Sequence, residues 1–265
     1  MSHPLLDRLA AGPLRADGAI GTVLYAAGAS LDESFDALNL SRPDLVLDTH
    51  RAYLDAGADL LETNSFGANR FKLEAFGLAG RVKEINKKAV RLAREAREIA
   101  GSPALIAGSV GPTGRTLAPF GVVMPEAVRA AFREQIEALL EGGVDLLVLE
   151  TIGSLDEMAE AVSAARDACD LPIIASMTFA EDGRTIGGST PEEVAARLYG
   201  LGVAAIGANC SVGPQRLLPV ADALVRYLEN QDGDVPAVSC MPNAGWQPSL
   251  RLWSFVTLAK GSGTL

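Results

Sequence analysis

The sequence predicts an α/β fold, a (β/α)8 TIM-type barrel whose eighth strand is missing. Three observations carry this prediction. Seven apolar, strand-like runs each end in a small cluster of polar or glycine residues. Amphipathic helical stretches separate most neighbouring runs, and runs apolar on both faces that alternate with helices mean a buried parallel sheet. The polar clusters follow every run rather than one switch point, and no G-x-G-x-x-G opens the first unit, which sets the barrel above a doubly wound open sheet. Chemistry on such a barrel gathers where the strands end.

Taken in order, the first cluster is Ala16-Asp17-Gly18. The run Asp59-Leu60-Leu61 leads to Glu62-Thr63-Asn64, and Ala104-Leu105-Ile106-Ala107 leads to the glycine-rich loop from Gly108 to Arg115. Leu146-Leu147-Val148-Leu149 ends in Glu150-Thr151, and Pro172-Ile173-Ile174-Ala175 in Ser176-Met177-Thr178. Val203-Ala204-Ala205-Ile206 runs to Gly207-Ala208-Asn209-Cys210, and Pro236-Ala237-Val238-Ser239 to Met241-Pro242-Asn243-Ala244-Gly245. The helices between them announce themselves by their caps. Ser41-Arg42-Pro43-Asp44, Ser154 with Glu157, and Thr190-Pro191-Glu192-Glu193 each place a hydroxyl at the N-cap and a carboxylate three residues on. Gly57 and Gly142 fall where helices end. Val82, Ile85, Ala89, Leu92, Ala93, Ala96 and Ile99 recur at helical spacing and give that segment one apolar face.

Composition bounds the function. The chain has 265 residues, 48% of them hydrophobic, and no linker or charge block divides it. Its net charge of −10 argues against a nucleic-acid partner. No apolar run is long enough to span a bilayer, and residues 1–11 lack the pattern of a signal peptide. Three cysteines without framework spacing fit a reducing compartment, so a soluble cytoplasmic protein is expected.

The residue inventory removes several barrel mechanisms. The two histidines are His3, near the start, and His50, inside a helical pattern, so a histidine-built metal site or a Ser-His-Asp triad does not fit. Lysines 72, 83, 87, 88 and 260 lie in helical stretches or the tail, not at strand ends where a Schiff base would form. The strand ends keep carboxylates (Asp17, Glu62, Glu150), asparagines (Asn64, Asn209, Asn243), hydroxyls, glycines and the thiol of Cys210. Carboxylates can hold an ammonium group, and glycine-rich turns expose amides that can hold a carboxylate. The set suits a small amino acid, with Cys210 available to a soft metal or a sulfur substrate. The competing structural reading is that such residues cap turns. Cys169 and Cys240 read as packing residues.

These motifs resemble the homocysteine S-methyltransferase family. The resemblance rests on Asp17-Gly18-Ala19-Ile20-Gly21-Thr22, Glu62-Thr63-Asn64-Ser65-Phe66, Gly111-Pro112-Thr113-Gly114, Leu149-Glu150-Thr151, residues 207–214 and Met241-Pro242-Asn243-Ala244-Gly245-Trp246. It implies a (β/α)8 barrel that transfers a methyl group from a small-molecule donor to homocysteine sulfur, giving methionine. It implies zinc (Zn2+) held by three cysteines, with the sulfur bound as a thiolate. On this sequence Cys210 matches the first zinc ligand. Asp17 and Glu150 match the homocysteine site, with Gly18, Thr63, Asn64 and Asn209 as neighbours.

The chain departs from that pattern at its end. The family's remaining two zinc cysteines form an adjacent pair in a Gly-Gly-Cys-Cys-Gly-Thr motif on the eighth strand, and no Cys-Cys occurs here. Cys240, ending the neighbouring run, is a candidate second ligand. Residues 1–246 therefore read as the homocysteine-binding module and 247–265 as an atypical tail, expected to be out of frame or a truncation product. Phe255-Val256-Thr257-Leu258 resembles a strand, but too few residues precede it for a parallel crossover. Unpaired edges on the first and seventh strands, and self-association through them, are expected from this. No Asp-x-His-x-x-Gly cobalamin pattern is complete, because Tyr53 stands at its glycine position after Asp48-Thr49-His50. Two other readings stay open: an inactive remnant barrel that binds an amino acid, and a metal-free lyase or phosphate-binding enzyme using the Gly108–Arg115 loop.

Overall fold

The computed structural model describes residues 3–243 and the backbone of 256–259. Seven parallel strands follow the predicted runs: β1 (Leu14–Ala16), β2 (Leu60–Glu62), β3 (Leu105–Val110), β4 (Leu146–Ile152), β5 (Ile173–Met177), β6 (Ala205–Asn209) and β7 (Ala237–Met241). Their order around the barrel is their order in the chain. The helices are α1 (Pro4–Ala11), α2 (Ile20–Ala26), α3 (Leu38–Ser41), α4 (Pro43–Asp55), α5 (Arg70–Glu74), α6 (Val82–Ala100), α7 (Pro125–Gly142), α8 (Leu155–Ala168), α9 (Pro191–Gly200) and α10 (Pro214–Glu229).

The strand period of two sorts the core into two clusters. Leu14, Leu60, Leu105, Leu146, Val148, Ile174, Ala205 and Ala237 point to the axis, and Leu5 and Leu9 of α1 plug the floor against them. The alternate residues, among them Leu61, Ile106, Leu147, Ile206 and Val238, pack outward against the helices. Each such aliphatic side chain, fully buried, contributes about 1.5–3 kcal/mol.

The gap between β7 and β1 is filled in a way the sequence reading did not anticipate. Backbone of β8 (Val256–Ala259) runs antiparallel and pairs with both neighbours, Ala16 opposite Val256 and Cys240 opposite Thr257. The edges expected to be open on β1 and β7 are therefore paired, by backbone of β8. The physical reason is direction. An antiparallel strand starts at the end where β7 finishes, so it needs no crossover helix, whereas a parallel one does. Ala244–Trp246 of the last quoted motif and most of the tail lie outside the described residues.

The caps behave as predicted in two cases of three. Thr190 and Glu193 form a reciprocal capping box on α9, and Ser154 accepts from the amide of Glu157 on α8. Ser41 does not cap α4. It closes α3, donating to Ala37 O at 3.3 Å, and Arg42 precedes α4 without a side-chain bond. Pro43 takes the first helical position of α4, where its missing amide would have had no partner anyway. On α7 the left-handed C-cap is Gly143, at φ +89°, while Gly142 is the last helical residue. Gly142 is required for packing, since a Cβ there would collide with Val90 of α6. Ile99, at the end of the apolar face of α6, emerges 55% exposed.

His50, on α4, is fully buried, and neither ring nitrogen has a hydrogen-bond partner among the described residues. Burial lowers its pKa to about 4. The unfolded chain binds this proton near the ordinary value of 6.5 and the folded chain does not, so stability falls as pH drops from about 6.5 to about 4. The loss attributable to His50 is about 3 kcal/mol. Denaturant melts between pH 7 and pH 4 are expected to show a shallower loss for His50→Leu than for the parent chain. Parallel curves would contradict this.

Candidate active site

Continuing the strand alternation to the upper ends of β2, β4 and β6 brings Glu62, Glu150 and Asn209 to the axis, where they line one small cavity. Asp17, one residue past β1, joins them: its Oδ2 accepts from the amide of Glu62 at 2.9 Å. All three carboxyl groups are less than a tenth exposed. Among the described residues, no ion pair reaches any of them.

Glu150 is held on both oxygens. Ser109 Oγ donates to Oε1 at 2.6 Å, and Asn209 Nδ2 donates to Oε2 at 3.2 Å. Glu62 stands close enough to Glu150 that the two carboxyl groups perturb each other's ionisation. Burial raises the pKa of all three groups. For Glu62, repulsion from Glu150 and then Asp17 adds to it. Asp17 Oδ1 is buried without a hydrogen-bond partner.

The remaining sequence-predicted residues stand around this centre. Gly18 is buried after Asp17 and packs so closely on Tyr53 that a Cβ would lie 3.1 Å from its hydroxyl. The hydroxyl of Thr63 pairs with Ser65 Oγ at 2.6 Å and accepts from the amide of Ser109 at 3.1 Å. The carboxamide of Asn64 donates to Phe35 O at 2.8 Å and to Asn39 Oδ1 at 3.2 Å. Thr63 and Asn64 thus tie the β2 loop to its neighbours, while Asp17, Glu150 and Asn209 meet at the mouth.

Cys210 reaches the mouth by a turn of the backbone. Ala208 faces the helices and Asn209 the axis, so a regular strand would send Cys210 outward again. Instead its φ is +61°, and its Sγ lies 3.5 Å from both Asn209 Nδ2 and Thr151 Oγ1. Burial, the largest influence, raises its thiol pKa. Cys240 does not join it. Its side chain belongs to the outer cluster against the helices, and burial pushes its thiol up to about 11. The alternation of β7 puts Ser239 and Met241 on the axis and Cys240 behind them.

The donor set therefore does not fit three-thiolate zinc. Among the described residues no three His, Cys, Asp or Glu side chains stand together as metal ligands, and residues 244–265 contain none of these residue types. The phosphate reading loses its cradle as well. In the Gly108–Arg115 loop, the Gly111 amide donates to Phe66 O, and the Thr113 amide and hydroxyl both donate to the buried Glu157 carboxylate.

Ser109 and Thr151, which hydrogen-bond Glu150 and Asn209, and Glu157, which anchors the Thr113 loop, are residues that the sequence reading did not single out. Ser109 and Thr151 do sit inside strand-end clusters, which was the available signal. Glu157 was visible only as a helix-cap partner.

Raised carboxyl pKa values mean that the fold prefers the protonated forms. That stability is present below the ordinary carboxyl range and is lost as pH rises through the folded values. Glu62→Gln removes one such loss. It is expected to melt higher than the parent by about 3 °C or more at pH 8, with a smaller gain at pH 5. An equal gain at both pH values would contradict the assignment.

The homocysteine S-methyltransferase family model matches residues 14–257. Methionine synthase of Mycobacterium tuberculosis is 34% identical over an alignment covering 91% of this chain, and that of Mycobacterium leprae is 33% identical. The chain spans 21% of the length of each of these relatives. Among solved structures, the metallated form of the homocysteine methyltransferase MmuM from Escherichia coli aligns with a TM-score of 0.78 at 31% identity, covering 91% of this chain and 86% of that one. Its apo form aligns with a TM-score of 0.67 at 27% identity. With the family model spanning nearly the whole chain and the same barrel in its relative, this chain belongs to the homocysteine S-methyltransferase family.

Proposed function

We propose that the barrel mouth binds homocysteine as a methyl acceptor, its ammonium group received by Asp17 and Glu150. The observation that carries this reading is the buried carboxyl cluster without a cation, in which Asp17 Oδ1 has no partner. An uncompensated buried charge is costly, and an incoming ammonium group supplies what the fold leaves out. Asn209 then steadies Glu150 from the far side, and the absence of a Cβ at Gly18 lets Tyr53 pack beside Asp17. The Cys210 thiol stands beside the same cluster, 3.5 Å from Asn209 Nδ2.

Transfer of a methyl group to sulfur requires a thiolate, and a free thiol has a pKa of about 8.5. Three carboxyl groups oppose that ionisation. Nothing in the described mouth favours it, because Cys210 stands there without a second thiol, Cys240 lying in the outer core. These residues bind and orient an acceptor, and they do not by themselves activate it. The donor set thus favours a second reading, in which the barrel binds the amino acid without turning it over.

Calorimetric titration of reduced protein separates the outcomes. L-homocysteine is expected to bind at least about tenfold more tightly than 4-mercaptobutanoate, which lacks the amino group, and Asp17→Asn is expected to erase most of that difference. Equal affinity for the two ligands, or no binding of either, would overturn the acceptor reading. Methionine formed from a supplied methyl donor would exclude binding without transfer.

A further inference from the structure

Beside the carboxyl cluster stands a backbone feature that the binding of an ammonium group does not explain. Thr151 has φ +57°, a left-handed conformation that is a genuine outlier for a β-branched residue. The pairing of β4 with β5 shows why it is there. Leu149 lies opposite Ala175 and Ile152 opposite Met177, so β4 has one residue more than its partner between these points. This is a β-bulge, a device that re-aims side chains at active sites.

In an unbroken strand, Glu150 would face the axis, Thr151 the helices and Ile152 the axis again. The extra residue returns Ile152 to the outer core beside Met177 and leaves Thr151 free to turn toward the mouth with Glu150. There Thr151 grips Asn209 twice. Its amide donates to Asn209 Oδ1 at 2.9 Å, and its Oγ1 accepts from Asn209 Nδ2 at 2.8 Å. The double contact fixes which way round the carboxamide sits, so that Nδ2 faces Glu150. The same Oγ1 lies 3.5 Å from Cys210 Sγ. The link crosses the end of β5, joining β4 to β6, where Cys210 and Ser211 are also left-handed.

We infer that Thr151 is a positioning residue, held in a strained backbone so that its amide and hydroxyl lock Asn209, and through it Glu150 and Cys210, into one arrangement. This deepens the acceptor-binding reading and rests on it for its functional consequence. Backbone strain of this kind is costly and persists where the surrounding structure over-determines it. Glycine would relieve it, since glycine occupies the left-handed region freely.

The test uses the full chain with Thr151→Val, Thr151→Ser and Thr151→Gly, read by L-homocysteine affinity and melting temperature. Thr151→Val keeps the shape and loses the hydroxyl, and is expected to weaken binding about tenfold. Thr151→Ser is expected to restore affinity to within about twofold of the parent. Thr151→Gly is expected to melt above Thr151→Val while binding as poorly. A second measurement needs no ligand: Thr151→Val is combined with Asn209→Ala, or with Asn209→Ser should the alanine variant not fold. The melting losses are expected to be less than additive because both changes break one link. Parent-like affinity in Thr151→Val, or fully additive melting losses, would overturn the inference. If the parent chain binds no homocysteine, the acceptor reading fails, and the additivity result alone decides whether Thr151 is locked to Asn209.

Discussion

Burial of three carboxyl groups in the end of an apolar barrel is the constraint around which the mouth of this protein is arranged. The lower barrel is filled with leucine, valine and alanine side chains, with α1 closing the floor. Asp17, Glu62 and Glu150 stand directly above that layer and meet no cationic partner among the described residues. Their burial is offset in part by the Glu62 amide that donates to Asp17 and by the Ser109 and Asn209 side chains that donate to Glu150. The arrangement lowers the stability of the empty protein, and such a cost is common where function demands it. The left-handed residues Thr151, Cys210 and Ser211 add backbone strain at the same place.

The barrel was legible in the sequence because its signals are local and periodic. Apolar runs, capping residues such as Thr190 and Ser154, and the polar residues after each run all follow from short-range chemistry. Asp17, Glu150, Asn209 and Cys210 could be placed at one end of the fold for the same reason. Features that depend on a neighbouring strand were not legible. The bulge at Glu150-Thr151 has no mark in β4 itself, since it exists only relative to β5. Alternation run forward from Ala237 would have placed Cys240 behind the sheet, but proximity to Cys210 in the strand order made it a candidate ligand. The reversed β8 escaped because a crossover length limits parallel strands only.

β8 also bears on the chemistry of the site. In the arrangement implied by the family resemblance, the eighth strand brings two cysteines to the rim beside Cys210. Here the backbone that completes the barrel is antiparallel, and residues 244–265 carry no cysteine, histidine or carboxylate. The ring of hydrogen bonds is thereby closed without closing a metal site. The barrel architecture is retained, and among the described residues no group stands ready to ionise a sulfur at its mouth.

Zinc content of the purified, reduced chain, measured by plasma mass spectrometry alongside Cys210→Ser, tests this account most directly. The account predicts far less than one zinc per chain, with no difference between the two proteins. About one zinc per chain, lost in Cys210→Ser, would contradict it and would mean that the site is completed by donors outside the set described.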